Sequence, residues 1–82
     1  MDYEVRFKPK ADKDLDSLQA DMAKRVIEKI TRLQTNLEGD VKRLTNFTPE
    51  YRLRVGDYRV LFEVEGNSVI VYRIVHRREA YR

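Results

Sequence analysis

Apolar and polar residues alternate strictly through Tyr3-Glu4-Val5-Arg6-Phe7, the period of a half-buried strand, and the run stops before Pro9. Lys8-Pro9 reads as a turn into a helix: proline suits a first helical turn and disfavours helix in the residue before it. The period then changes. Ala11, Leu15 and Leu18 recur at helical spacing, and from Ala20 or Asp21 a second helix carries Met22, Val26, Ile27, Ile30, Leu33 and Leu37 as one stripe. Asn36 to Asp40 is a stop signal, with Gly39 available for a left-handed cap. These two helices are expected to form an antiparallel hairpin. Val41 to Glu50 reads as a connector in which Leu44 and Phe47 anchor and Thr48-Pro49 turns. Alternation returns in Tyr51 to Val55, Gly56-Asp57 makes a tight turn into Tyr58 to Val64, and Glu65-Gly66-Asn67 turns into Ser68 to Val75. Arg77 to Arg82 is long enough for a short helical turn or a tail. The expected fold is α+β: an N-terminal strand, a helical hairpin and three antiparallel strands, with the helices on one face of a four-stranded antiparallel sheet.

Alternation also assigns faces, because consecutive strand side chains point to opposite sides. With Tyr51, Leu53 and Val55 in the core, Arg52 and Arg54 share the other face. With Tyr58, Val60, Phe62 and Val64 in the core, Arg59 joins them. In the last strand Ile70, Tyr72 and Ile74 compete with Val69, Val71 and Val75 for the core. The first choice would add Arg73 and Arg77 to the basic face.

Composition narrows the function classes. Eighty-two residues suit one small domain, which buries about 60% of its unfolded surface. Apolar residues make up 41% and charged residues 38%, against roughly 25% charged in a typical domain, so the chain is globular with a highly charged surface. No segment approaches the length of a membrane span and the start has no signal-peptide layout, so a cytoplasmic protein is expected. Without cysteine and with one histidine, neither a disulfide nor a thiolate or multi-histidine metal site can form, and metal-free chemistry without a cofactor is expected.

The net charge of +3 is unevenly distributed. Through Glu50 six Lys and four Arg balance ten acids, whereas from Tyr51 onward seven Arg face four acids with no Lys. Such residues could merely keep an exposed sheet soluble. Solubility would be served equally by mixed charges, however, and arginines crowded on one face repel unless an anion sits among them. The planar guanidinium fork suits bidentate phosphate contacts.

Two segments carry a resemblance. Tyr51-Arg52-Leu53-Arg54-Val55-Gly56-Asp57-Tyr58-Arg59-Val60, followed by His76-Arg77-Arg78-Glu79-Ala80-Tyr81-Arg82, resembles the signature of RelE-type toxins in the RelE/ParE toxin-antitoxin superfamily, and the likeness covers nearly the whole chain as one RelE-like domain, 1–82. The resemblance implies a ribosome-dependent, metal-free endoribonuclease that cuts messenger RNA in the decoding site. The ribose 2′-hydroxyl attacks the adjacent phosphate, giving a 2′,3′-cyclic phosphate. The resemblance further implies a RelB-like antitoxin that silences the toxin, with operator DNA as a candidate partner of the pair. By the same resemblance Arg54 takes the base position, Arg59 stabilises the phosphate, Arg77 serves the leaving oxygen and Tyr81 stacks on or orients the substrate. Arg52, Arg73 and Arg78 are candidates for substrate binding. Tyr81 could instead close the edge of the core.

The chain departs from the best-known members, which have lysine at the positions of Arg52 and Arg54. Arginine is a poorer base than a lysine whose pKa burial can depress. His76, the only side chain with an ordinary pKa near neutrality, is a candidate for proton transfer or, alternatively, a strand-end histidine in a structural hydrogen bond. Two other functions stay open: a gyrase-poisoning ParE-like toxin, and a non-catalytic paralogue that binds RNA or antitoxin.

Overall fold

The computed structural model describes residues 2–80. It contains β1 (Glu4–Phe7), α1 (Pro9–Asp16), α2 (Ala20–Arg32), β2 (Val41–Arg43), β3 (Tyr51–Val55), β4 (Tyr58–Glu65) and β5 (Ser68–His76). The fold is α+β, as expected, but the sheet has five strands, in the order β1-β5-β4-β3-β2. The added strand, β2, lies within the connector, pairs antiparallel with β3 and places Val41 opposite Leu53. Three residues are too few to display a period. Nor is the sheet wholly antiparallel: β1 pairs parallel with β5. The helical hairpin carries the chain from one sheet edge to the other, and the β2-β3-β4-β5 meander returns it beside β1.

Pro9 begins α1 as its pattern predicts. In α2 the buried residues are Val26 and Ile30, continued by Leu33 just past the helix, while Ile27 is 45% exposed and lies off the stripe. The helix ends at Arg32, short of Leu37, and the reversal is made by Asn36 and Leu37 at φ 54° and 57°. Gly39 serves the next bend, at φ 133°; a Cβ there would stand 2.9 Å from Leu53 Cδ1. The helices cover one sheet face. Ala11, Val26, Ile30 and Leu33 pack against Leu53, Val55, Val60, Phe62, Val69, Val71 and Ile74.

A bulge in β5 resolves the competition within that strand. Phe62 pairs with Val71 but Leu61 pairs with Arg73, leaving Tyr72 as an extra residue. Val69 and Val71 therefore face the core before the bulge, and Ile74 after it. Each proposed core set is partly right: Ile74 belongs to one, Val69 and Val71 to the other. The bulge coincides with the end of β1, beyond which the β5 edge is uncovered. There Asp14 of α1 takes over, its Oδ2 accepting the Ile74 amide at 2.9 Å and the Arg73 Nε at 2.7 Å. An edge amide that would lack a strand partner is thus satisfied by a carboxylate.

The second sheet face is only partly open. The loop 44–50 folds over it: Glu50 donates its amide to Glu63 Oε1 at 2.8 Å, and Arg43 pairs with the Glu50 carboxylate at 3.0 Å. The turn after β5 approaches the same face, burying Ala80 and Val75. No helix among the described residues is long and apolar enough to cross a membrane.

Candidate functional site

The arginine-bearing face is built on the β3-β4 hairpin. Gly56, at φ 57°, is the first turn residue, a conformation side chains rarely adopt, and it permits the two-residue reversal that sets Arg54 directly opposite Arg59. Side chains in such a pair share a face, with Cβ atoms roughly 5 Å apart, and like charges there repel. Arg59 stands opposite Val75, so the bulged register also puts Arg73 on this side, and Arg77 follows β5 in the turn beside Asp57.

The arginines are held differently. Arg52 is largely withdrawn, its side chain 15% exposed, with Nη1 donating to the Asp40 carbonyl at 3.1 Å and to Asp40 Oδ1 at 3.3 Å. Its Nε is buried without an acceptor, alone in this among side-chain atoms of the described residues. Arg73 is gripped by Asp14 through two parallel bonds, Nε to Oδ2 at 2.7 Å and Nη2 to Oδ1 at 3.1 Å. Burial alone would raise the Asp14 pKa, but the Arg73 and Ile74 hydrogen bonds and the charges of Arg73 and Lys10 outweigh it and hold the carboxyl below its ordinary value. Both arginines are therefore neutralised by acids and tie strands to their neighbours.

Arg54, Arg59 and Arg77 form a second group at the hairpin end. Arg54 is exposed, with no side-chain partner among the described residues. Arg59 turns Nη1 onto the carbonyls of Gly56 at 2.9 Å and Tyr58 at 3.0 Å. These bonds fix the guanidinium and leave Nε and Nη2 without acceptors among the described residues. Arg77 donates its amide to the Asp57 carbonyl at 2.7 Å, and its guanidinium approaches Asp57 Oδ1 at only 3.9 Å, both side chains being mostly exposed. So open a pair is weak.

His76 is not brought into this group. It pairs with Tyr58 on the helix-side face, its ring edge-on to that tyrosine at 5.6 Å. Its Nδ1 accepts the Arg78 amide at 3.3 Å. The histidine thus has the structural hydrogen bond of the alternative reading. Arg78 is exposed in the turn after β5, and Tyr81 lies outside the described residues. Among the described residues no three His, Asp or Glu side chains stand together as a metal site.

A feature not singled out as part of the site by sequence adjoins the arginines. A cleft of about 210 Å³ lies between loop 44–50 and the sheet, with Leu61 and Val75 in its floor, Phe47 in its wall and Arg73 and Glu79 at its rim. Its available signal was Phe47, an aromatic residue in a polar connector.

From Val5 to the C-terminal turn the chain matches a known family, described as the ParE toxin of the parDE type II toxin-antitoxin system, over residues 5–81. The chain belongs to the RelE/ParE family of type II toxins. This toxin is 34% identical over 74 residues to Toxin RelE3 of Methanocaldococcus jannaschii, the match covering 84% of each chain. Its fold superposes on the RelB-RelE antitoxin-toxin complex from Methanococcus jannaschii with a TM-score of 0.78 and 33% identity, covering 94% of the toxin and 95% of that chain. The archaeal RelE-RelB complex from Pyrococcus horikoshii matches with a TM-score of 0.77 and 27% identity over 98% of the toxin and 100% of that chain.

Proposed function

We propose that the toxin is a ribosome-dependent endoribonuclease that cuts messenger RNA in the decoding site. The observation that carries this reading is the opposed Arg54-Arg59 pair with Arg77 at the same end of the sheet. Two cations directly across a ladder destabilise the free protein and become favourable when an anion lies between them. In the reaction the ribose 2′-hydroxyl oxygen bonds to phosphorus while its proton passes to solvent. The bond from phosphorus to the 5′-oxygen breaks and that oxygen takes a proton from solvent, leaving a 2′,3′-cyclic phosphate and a 5′-hydroxyl. Arg54 and the pre-oriented Arg59 meet the charge that builds on the phosphorane, where fixed donors act most strongly. Arg77 serves the leaving oxygen, and Tyr81 stacks on or orients the substrate. A guanidinium is a poor base and His76 stands on the far face, so catalysis rests on charge and positioning rather than on a side-chain base.

A RelB-like antitoxin is the expected inhibitor, because the archaeal RelE relatives were crystallised with RelB partners. An acidic, partly disordered chain suits the basic face. Operator binding by the pair follows from kinship alone, and a ribosomal target puts the site of action in the cytoplasm.

The name of the matched family favours a second reading, inhibition of gyrase. Two assays separate them: end-mapping of messenger fragments in a translation extract, and supercoiling by purified gyrase. Cleavage with intact supercoiling, reduced roughly 10²-fold or more in Arg54→Ala and Arg59→Ala, is expected. Lost supercoiling without cleavage would overturn the nuclease reading.

A further inference from the structure

A groove beside the start of α1 plays no part in the arginine group. It holds about 460 Å³ and is almost wholly apolar, with Pro9, Pro49 and Tyr72 as its floor and Lys8, Lys10 and Arg73 at its rim. The bulge in β5 builds it. Tyr72 is the extra residue there, and β1 ends opposite Val71, one position short of it. The Tyr72 ring therefore stays outside the core, half-buried beneath the Lys8 ammonium, whose Nζ lies 5.3 Å from the ring centre. Lys8 and Lys10 are exposed and enter no ion pair among the described residues, whereas Arg73 is already held by Asp14. No acid stands among the lining residues. The groove also leads toward the arginines. It shares Pro49 and Arg73 with the cleft over Leu61 and Val75, and Val75 pairs with Arg59. From Tyr72 to Val75 is about 10 Å of strand.

The chemistry of the groove selects its occupant. Lys8 already sits over the Tyr72 ring, and the two prolines offer no amide donor, so a nucleobase would find neither an open ring nor partners for its polar edge. A large apolar peptide side chain flanked by carboxylates is satisfied on both counts: the floor takes the side chain out of water, and the lysines pair with the acids. We propose that this groove anchors the RelB-like antitoxin through an extended acidic segment bearing such a side chain, and that the segment continues along the shared cleft to bring further carboxylates onto the open arginines. This rests on the antitoxin reading above. An anchor away from the arginines makes the second contact intramolecular and raises its effective concentration, so a chain that folds on contact can cover the site.

The test uses the full-length toxin and its cognate antitoxin, isolated by co-purification and then separated. Lys8→Glu and Lys10→Glu together should weaken antitoxin binding roughly tenfold or more at an unchanged melting temperature, with affinity for a short single-stranded RNA and messenger cleavage both within about twofold of wild type. Tyr72→Ser, which removes the floor and keeps the charges, should weaken antitoxin binding roughly tenfold as well. In the complex, p-benzoylphenylalanine substituted for Tyr72 should cross-link to the antitoxin under ultraviolet light. Unchanged antitoxin affinity in the double variant, or no cross-link from position 72, would overturn the proposal and leave the antitoxin reading intact. A parallel fall in RNA affinity would make the groove part of the RNA path and overturn it too. A wild-type toxin that binds no antitoxin would remove the groove's role and the antitoxin reading together.

Discussion

At the scale of single residues, the arginines that look alike in sequence have different work. Arg52 and Arg73 are consumed by Asp40 and Asp14, while Arg54, Arg59 and Arg77 keep donors available at the hairpin end. At position 52 a single Nη1 donates both to the Asp40 carbonyl and to Asp40 Oδ1. His76→Ala should leave messenger cleavage within about twofold of wild type, since the ring faces away from the arginine group. A fall of tenfold or more in the end-mapping assay would return the histidine to the chemistry. Gly39→Ala should cost at least about 1 kcal/mol in urea unfolding, because the new Cβ meets Leu53 at 2.9 Å and an L-residue is strained at φ 133°.

Among the elements, β5 decides which side chains share the face of Arg59. Its bulge puts Val75 on the face of Arg59 and turns His76 away. Asp14 secures that arrangement from α1 by satisfying both the Ile74 amide and the Arg73 guanidinium. Asp14→Ala should therefore destabilise the toxin by roughly 2 kcal/mol, as expected for losing charge-assisted bonds at a half-buried site. The pH dependence has a definite sign. Because the Asp14 pKa is lower folded than unfolded, its contribution is fully present above the unfolded carboxylate value of about 3.9 and is lost as pH falls through the folded value. Thermal melts of the two proteins should differ most near neutrality and converge as pH falls through the folded value. A gap that persisted in acid would show that Asp14 contributes packing rather than charge.

Over the whole molecule, the charge segregation along the chain becomes a surface with two halves, one bonded inward and one with donors left open. Three available arginines predict a modest ionic dependence for single-stranded RNA, with log K falling against log salt at a slope of about −2, or about 0.7 per contact. Removing Arg54 should bring the slope to about −1.4. An unchanged slope would place the RNA elsewhere on the protein.

The order of elements, the helical hairpin and the faces of β3 and β4 were legible in the sequence, because helical and strand periods are local and each side chain's direction follows from its neighbours. The family was legible for a similar reason, since its signature lies in two short segments. Other features depended on pairings that no local period records. The β1-β5 contact joins residues more than 60 positions apart, β2 is too short to carry a pattern, and the bulge at Tyr72 depends on where β1 ends and on an aspartate in α1. Sequence determined that arginines would crowd one sheet face. Only the tertiary structure decided which of them are neutralised, because their counter-charges arrive from distant turns and helices, and only it turned the lone histidine to the other side.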